Sequence, residues 1–373
     1  MIVAVLTSGR QDWGILRSLS LLLSTEPKFD VRLLLGGMHL SGRFGRTADY
    51  VEADGVRVSE RLAWADSPDA AVQAGVATEM VACALDRQSP DFLVLAGDRF
   101  ETAAAAFAAT LRRVPLVHLH GGEETEGAID NALRNAITKL SHLHLVSHQI
   151  HADRVVAMGE DPATVHVVGA PGLDNAFRDD LADRDELSRG LGIELVPPVV
   201  IVTVHPATLG VAHADAQAVV AAMDAVPGTY IITLPNADPG NEAVRQILGQ
   251  AAAVPGRAAV EALGDRAFWG LMQVADAMLG NSSSGLIEAP VNRLPVVNVG
   301  DRQKGRLRGD NVIDTPPEAE RVAEALREAL DPEYRSGLSG ISPYGDGKAA
   351  NRIVSVLESW IPPKPPRKRG VAG

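Results

Sequence analysis

The chain has 373 residues, 46% of them hydrophobic, with a mean hydropathy of +0.04, which suits a globular protein long enough for two cores. Its net charge of −12 and pI near 5.3 oppose nonspecific nucleic-acid binding, which needs a positive field, and aromatics at 4% oppose base stacking. The single Cys83 excludes an intrachain disulfide and a cysteine-based zinc site; its helical setting points to a buried structural thiol.

In chain order, the first half alternates strand-like and helix-like segments. IVAVLT (2–7) is a short apolar run of the buried parallel type, followed by helical spacing over 13–24. Strand-like runs recur at 30–37, 92–97, 115–120, 142–147 and 165–174, with helical patterns at 70–88, 101–113 and 130–141. A charged and then Pro-containing stretch, 178–198, leads into a second series with strands at 199–205, 228–235, 277–280 and 295–300. This predicts an α/β protein of two Rossmann-like doubly wound domains, 1–177 and 199–360, joined by the 178–198 linker region. Ligands of such folds sit at the carboxyl ends of the strands, here expected in an inter-domain cleft. Residues 361–373 are basic and Pro-rich with no apolar face, and read as a disordered tail. The opening MIVAVLT is too short for a signal peptide, and no apolar run approaches the about 20 residues of a membrane helix. The expectation is a cytoplasmic protein without membrane or nucleic-acid partners.

No G-x-G-x-x-G, P-loop or G-x-S-x-G motif is present. Polar, glycine-rich segments instead follow the strands: SGRQDWG (8–14), GMHLSGRFG (37–45), GDRFE (97–101), HGGEETEGAID (120–130), HPAT (205–208), PNADPGN (235–241), NSSSGLIE (281–288) and GDRQKGR (300–306). Eight such loops at one end of two sheets predict a ligand cleft. NSSSGLIE enters a helix, where backbone N–H groups and hydroxyls suit a diphosphate or a plain serine cap. Arg10 and Arg302 could neutralise phosphate. His118 and His120 lie two apart on a strand and share a face, which leaves a metal pair, an acid–base group and strand-end packing as alternatives. Asp98 and Asp130 each precede a helix, so each fits either a cap or a catalytic carboxylate.

GDRFE, HGGEETEGAIDNALRNAITKLSHLH, GNSSSGLIE and GDRQKGR, in this order, resemble the hydrolysing UDP-N-acetylglucosamine 2-epimerases, most of all the branch serving sialic and legionaminic acid synthesis. The resemblance runs from residue 1 to about 357. It implies a glycosyltransferase-B-like arrangement, a UDP-2-acetamido sugar substrate, a UDP product, no cofactor, no metal and a homodimer. It implies elimination of UDP to a glycal, then hydration to the free 2-epimeric sugar. Matched to the family motifs, Asp98, Asp130 and His205 are catalytic, while Arg10, Arg99, Asn236, Ser282, Ser283, Glu288 and Arg302 line the UDP or substrate site. His39, in GMHLSGRFG, is read with the same binding set. Where many relatives hold a carboxylate, this chain has His120, so His120, Glu123 or Glu126 takes the second acid–base role. That form resembles the branch using UDP-2,4-diacetamido-2,4,6-trideoxy sugars. A glycosyltransferase on the same fold and a non-catalytic nucleotide-sugar binding protein are the competing functions.

Overall fold

Short runs of valine, isoleucine and leucine form strands that are buried on both faces, the condition a parallel sheet imposes. The structure, a computed structural model, describes residues 1–373 except 43–45, 66, 68, 125–129, 207–212, 236–239, 369–373 and the side chain of residue 130. The first sheet holds β1 (Ile2–Thr7), β2 (Asp30–Gly36), β3 (Val58–Leu62), β4 (Phe92–Ala96), β5 (Leu116–Leu119), β6 (Leu143–Val146) and β7 (Val165–Val167). All pair in parallel, in the order β3-β2-β1-β4-β5-β6-β7. Val3, Val5, Leu33 and Leu35 pack with Trp13, Leu16 and Leu19 of the helix Arg10–Thr25. Their neighbours in sequence, Ala4, Leu6 and Leu34, pack on the opposite face with helices Ala70–Gln88 and Phe100–Leu111. The two-residue period of a strand thus feeds two helical layers at once.

The second sheet holds β8 (Val199–Thr203), β9 (Thr229–Thr233), β10 (Arg257–Val260), β11 (Ala277–Gly280), β12 (Val296–Val299) and β13 (Val312–Thr315). Its order is β10-β9-β8-β11-β12-β13, again parallel. Helices Ala214–Ala225 and Ala319–Ala329 bury Val219, Ala222, Val322 and Leu326 against it. No helix among the described residues is long and apolar enough to cross a membrane.

The described residues divide into two compact units, Met1–Glu123, Asp130–Asn175 and the chain from Tyr344 onward in one, Glu124 and Ala176–Pro343 in the other. The domain expected over 199–360 therefore ends earlier. The last helix, Ala349–Ser359, buries Ile353, Val354 and Leu357 in the first unit's core beside Leu16 and Leu19. The end of the chain also differs from a free tail. Lys364 donates to Asp91 Oδ1 at 2.5 Å, and Lys368 donates to the carbonyls of Thr138 (3.1 Å) and Lys139 (2.5 Å). Those carbonyls end the helix Asp130–Leu140, where acceptors lack intrahelical partners and a cation is favoured. Cys83 is exposed rather than buried, because Ala77, Val81, Ala84 and Leu85 form the inward stripe of its helix.

Lys368 also joins Lys139 and His144 around the buried Glu160, at 2.7, 2.6 and 3.1 Å. Burial pushes the Glu160 carboxyl up, but the hydrogen bonds from His144, Lys139 and Lys368 outweigh it and hold the group at about 2, against an ordinary 4.5. A depressed carboxylate stabilises the fold above the unfolded-state value, and that contribution disappears as pH falls toward the folded-state value. Glu160→Gln should therefore be less stable than wild type near neutral pH. Urea titrations should show the gap narrowing as pH drops below 4.5; a gap that stays constant with pH would refute the ion cluster's contribution.

Candidate active site

In the first sheet the strand order reverses between β1 and β4, and ligands of doubly wound folds bind where it does so. The loops leaving these strands and the helix starts they lead into carry Ser8 to Asp12 and Gly97 to Glu101; the loop after β5 adds His120 to Glu123. Ser8 donates its N–H (2.9 Å) and its hydroxyl to Asp12 Oδ2. Burial raises the Asp12 carboxyl to about 6 against the lowering effect of Ser8 and Arg99. Arg10 begins the helix Arg10–Thr25. Arg99 bonds both carboxylate oxygens of the buried Glu101 at 3.2 Å.

Asp98 is not a helix cap: the cap position of Phe100–Leu111 is Arg99, and the Asp98 carboxylate accepts from Arg134 Nη2. Arg134 is 1% exposed and also donates to the Glu123 carbonyl at 2.6 Å and to Asn131 Oδ1 at 2.7 Å. One guanidinium thereby fixes the loop after β4 to the loop after β5. Sequence reasoning missed this residue. Its signal was an arginine three positions before the fully buried Ile137, on the inward stripe of an amphipathic helix. Asp130 is the first residue of that helix; its side chain lies outside the described residues.

His118 and His120 part company at the strand end. His118 is fully buried, with Nε2 on the Gly97 carbonyl (2.8 Å) and Nδ1 on Thr138 Oγ1 (3.2 Å); burial lowers its imidazole to about 3. His120 has φ +65°, a left-handed backbone rare for a residue with a Cβ, which breaks the strand alternation. Its Nδ1 lies 2.7 Å from Glu123 Oε1. Its Nε2 is buried and has no hydrogen-bond partner among the described residues. A buried ring nitrogen held in this state is where a ligand's polar group or proton would be met. Among the described residues no group of three or more His, Cys, Asp or Glu is arranged to hold a metal.

His39, expected to contact substrate, is fully buried instead. Thr7 Oγ1 and Thr47 Oγ1 occupy its two ring nitrogens at 2.8 and 2.7 Å, so it ties β1 to the following loop. Burial lowers its imidazole to about 3.

In the second sheet the order reverses between β8 and β11. Gly280 ends β11 at φ +138°, and a Cβ there would overlap the Thr203 carbonyl, so only glycine lets the two strands approach. Asn281, absent from the expected set, is the hub of the loops that follow. Its Oδ1 accepts from the His205 N–H (2.8 Å), and its Nδ2 donates to the His205 carbonyl (2.9 Å) and to Asp215 Oδ2 (2.8 Å). Its own carbonyl accepts from Arg302 Nη1 (3.1 Å) and Gln303 Nε2 (2.8 Å). His205, Ser282, Ser283 and Arg302 are thereby brought together around β8, β11 and β12. The helix after Asn281 is a single turn, Ser284–Ile287, with Ser283 in the cap position and Glu288 just past its end. Asn236 lies outside the described residues.

Two parallel-sheet α/β units, each with functional loops at its strand-order reversal, define the class of ligand-binding doubly wound proteins. Comparison with known proteins narrows it. The sequence profile of the UDP-N-acetylglucosamine 2-epimerase family matches residues 22–358. A Legionella pneumophila protein named UDP-N,N'-diacetylbacillosamine 2-epimerase (hydrolyzing) is 32% identical over 363 residues, covering 96% of this chain and 95% of the relative. A Campylobacter jejuni GDP/UDP-N,N'-diacetylbacillosamine 2-epimerase (hydrolyzing) is 32% identical, covering 84% of each chain. The fold is that of the Neisseria meningitidis UDP-GlcNAc 2-epimerase bound to UDP-GlcNAc, with a TM-score of 0.81 at 18% identity over 96% of this chain and 100% of that one. The chain belongs to the UDP-N-acetylglucosamine 2-epimerase family and is an enzyme.

Asn281→Ala would leave the His205 backbone groups and the Asp215 carboxylate without this partner in a buried setting. Unsatisfied buried groups cost about 1–3 kcal/mol each, so denaturant titration should show a loss of roughly 3 kcal/mol or more. A loss below about 0.5 kcal/mol would remove Asn281 as the hub.

Proposed function

We propose that the protein is a hydrolysing 2-epimerase acting on a UDP-2-acetamido sugar, with a UDP-2,4-diacetamido-2,4,6-trideoxy sugar favoured over UDP-N-acetylglucosamine. The observation that carries the reading is the Asp98–Arg134–Glu123–His120 assembly, which places a carboxylate and an imidazole on the loops after adjacent strands β4 and β5. Inversion at a C–H centre needs one group to remove a proton and a second to return one from the other face. His120 Nε2 suits proton removal from C2, with the C1–O bond breaking to release UDP and leave a C1=C2 glycal. Addition of water then places hydroxyl on C1 and a proton on the opposite face of C2. Asp98 is the second acid–base group, and Arg134 orients it. Asp130 remains a further candidate for this step, from its place at the start of the same helix as Arg134.

The second unit supplies the nucleotide-binding groups in this reading. Ser282 and Ser283 meet the diphosphate, Arg302 its charge, Glu288 the ribose hydroxyls, and His205 the leaving phosphate. Asn236, Arg10 and Arg99 complete the binding set. The names of the Legionella and Campylobacter relatives support the diacetamido sugar. A glycosyltransferase would need one base at most, and would release UDP only when an acceptor is present.

Incubation in D2O with each of the two UDP sugars, followed by NMR, should give UDP, a free 2-epimeric sugar and deuterium at C2, without acceptor or added metal. Protium retained at C2 would sink the elimination. Asp98→Asn should lose at least about 100-fold in kcat while keeping UDP affinity, and Glu288→Ala should weaken UDP binding instead.

A further inference from the structure

The hydrogen bonds around Glu123 do not stop at His120. Ser147, just past β6, donates its hydroxyl to the same Glu123 Oε1 at 3.0 Å, and Ser147 Oγ lies 3.0 Å from His151 Nδ1. His120, Glu123, Ser147 and His151 are all buried, at 7%, 5%, 5% and 2% exposure. Each contact has a direction. A serine hydroxyl carries one hydrogen, and here it goes to the carboxylate. Toward His151 the Ser147 oxygen must then accept, so His151 Nδ1 carries its proton. Toward His120 the carboxylate can only accept, so His120 Nδ1 is protonated as well. In the neutral imidazole this leaves Nε2 with a bare lone pair, and Nε2 is the nitrogen without a partner among the described residues.

The surrounding frame is closely packed. Gly122, at φ +75°, lies so close to His151 that a Cβ would overlap the His151 carbonyl. Arg154, one turn along the helix Gln149–Ala157, donates to the Gly122 carbonyl at 3.2 Å. Among the described residues, the titratable and charged groups around this assembly include His118, His148, Arg134 and Arg154, besides its own Glu123 and His151. Burial is the main cause that lowers the His151 imidazole to about 4, so His151 is a neutral donor at physiological pH.

We propose that Ser147 and His151 are positioning residues: the chain His151 Nδ1–H to Ser147 Oγ–H to Glu123 carboxylate to His120 Nδ1–H locks His120 as a proton acceptor at Nε2. This rests on the 2-epimerase reading, and it assigns His120 the base role and not the acid role. Neither residue touches the reacting atoms. Their effect is to hold one tautomer and one ring orientation, as outer carboxylates and hydroxyls do for functional histidines elsewhere.

The test is long-range proton–nitrogen NMR of the histidine rings in 15N-labelled protein without ligand, assigned with His120→Gln. Wild type should show His120 protonated at Nδ1 and bare at Nε2. Ser147→Ala leaves the Glu123 carboxylate with one donor fewer, so that it can take up a proton and donate it to His120 Nδ1; the variant should show a mixture of both tautomers and a kcat about tenfold lower with little change in KM, and Ser147→Thr, which keeps the hydroxyl, should restore both. A wild-type spectrum with hydrogen on His120 Nε2 overturns the proposal without any variant. So does a Ser147→Ala protein that keeps both the tautomer and kcat. Because the tautomer is read without substrate, a failure to turn over either UDP sugar refutes the function and leaves this assignment to be decided by the spectrum alone.

Discussion

The buried guanidinium of Arg134 is the constraint on which the first unit's site depends. Strand ends in a parallel sheet deliver loops, and loops by themselves do not hold side chains to the tolerance that proton transfer needs. Arg134 bonds the Asp98 carboxylate on one loop and the Glu123 carbonyl on the next. A fully buried cation is expensive to desolvate, and the carboxylate, carbonyl and amide oxygens around it offset that cost. The same bonds therefore satisfy the arginine and register the two loops. The left-handed backbone at His120 is a further cost, of about 1–3 kcal/mol for a residue with a Cβ, which the bonds through Glu123 and Ser147 offset.

The second unit solves the same problem with a neutral side chain. Asn281 bonds the His205 N–H and carbonyl as a strand partner would, continuing the pairing of β8 with β11 beyond the last strand residue. An amide suits this place because it offers a donor and an acceptor on one planar group. An aspartate there would face the Asp215 carboxylate, which burial already pushes upward. The choice leaves Arg302 as a positive group on the loops that the proposed function gives to a diphosphate.

Much of this was legible from the chain, and the parts that were not share physical causes. The central strands read clearly because both their faces are buried and their sequences are continuous apolar runs. β3, β10 and β13 are not legible in this way, and all three are sheet edges: VSERL and VIDT carry an exposed Arg61 and Asp314, and RAAV has no fully buried residue. The last helix was assigned to the nearer domain because sequence order says nothing about which core an apolar stripe joins. Arg134 and Asn281 were passed over for a related reason. Each looks like an ordinary surface residue until burial makes its hydrogen bonds obligatory. His39 erred the other way: a histidine in a glycine-rich loop suggested a ligand contact, but two threonine hydroxyls spend both its nitrogens.

The histidine at position 120 then follows from what surrounds it. A carboxylate in its place would stand beside Glu123 inside a buried pocket, and two like charges at hydrogen-bond distance cannot both stay ionised there. An imidazole removes that conflict, since its neutral form donates to Glu123 from Nδ1 and still offers a basic nitrogen at Nε2. His120 and Glu123 are thus a matched pair, and neither is a free choice once the other is present. The Ser147 hydroxyl belongs to the same match, because a single proton aimed at Glu123 Oε1 keeps that carboxylate an acceptor for His120. The identity of the side chain at position 120 is in this way tied to a residue 27 positions further along the chain, on the loop after the neighbouring strand β6.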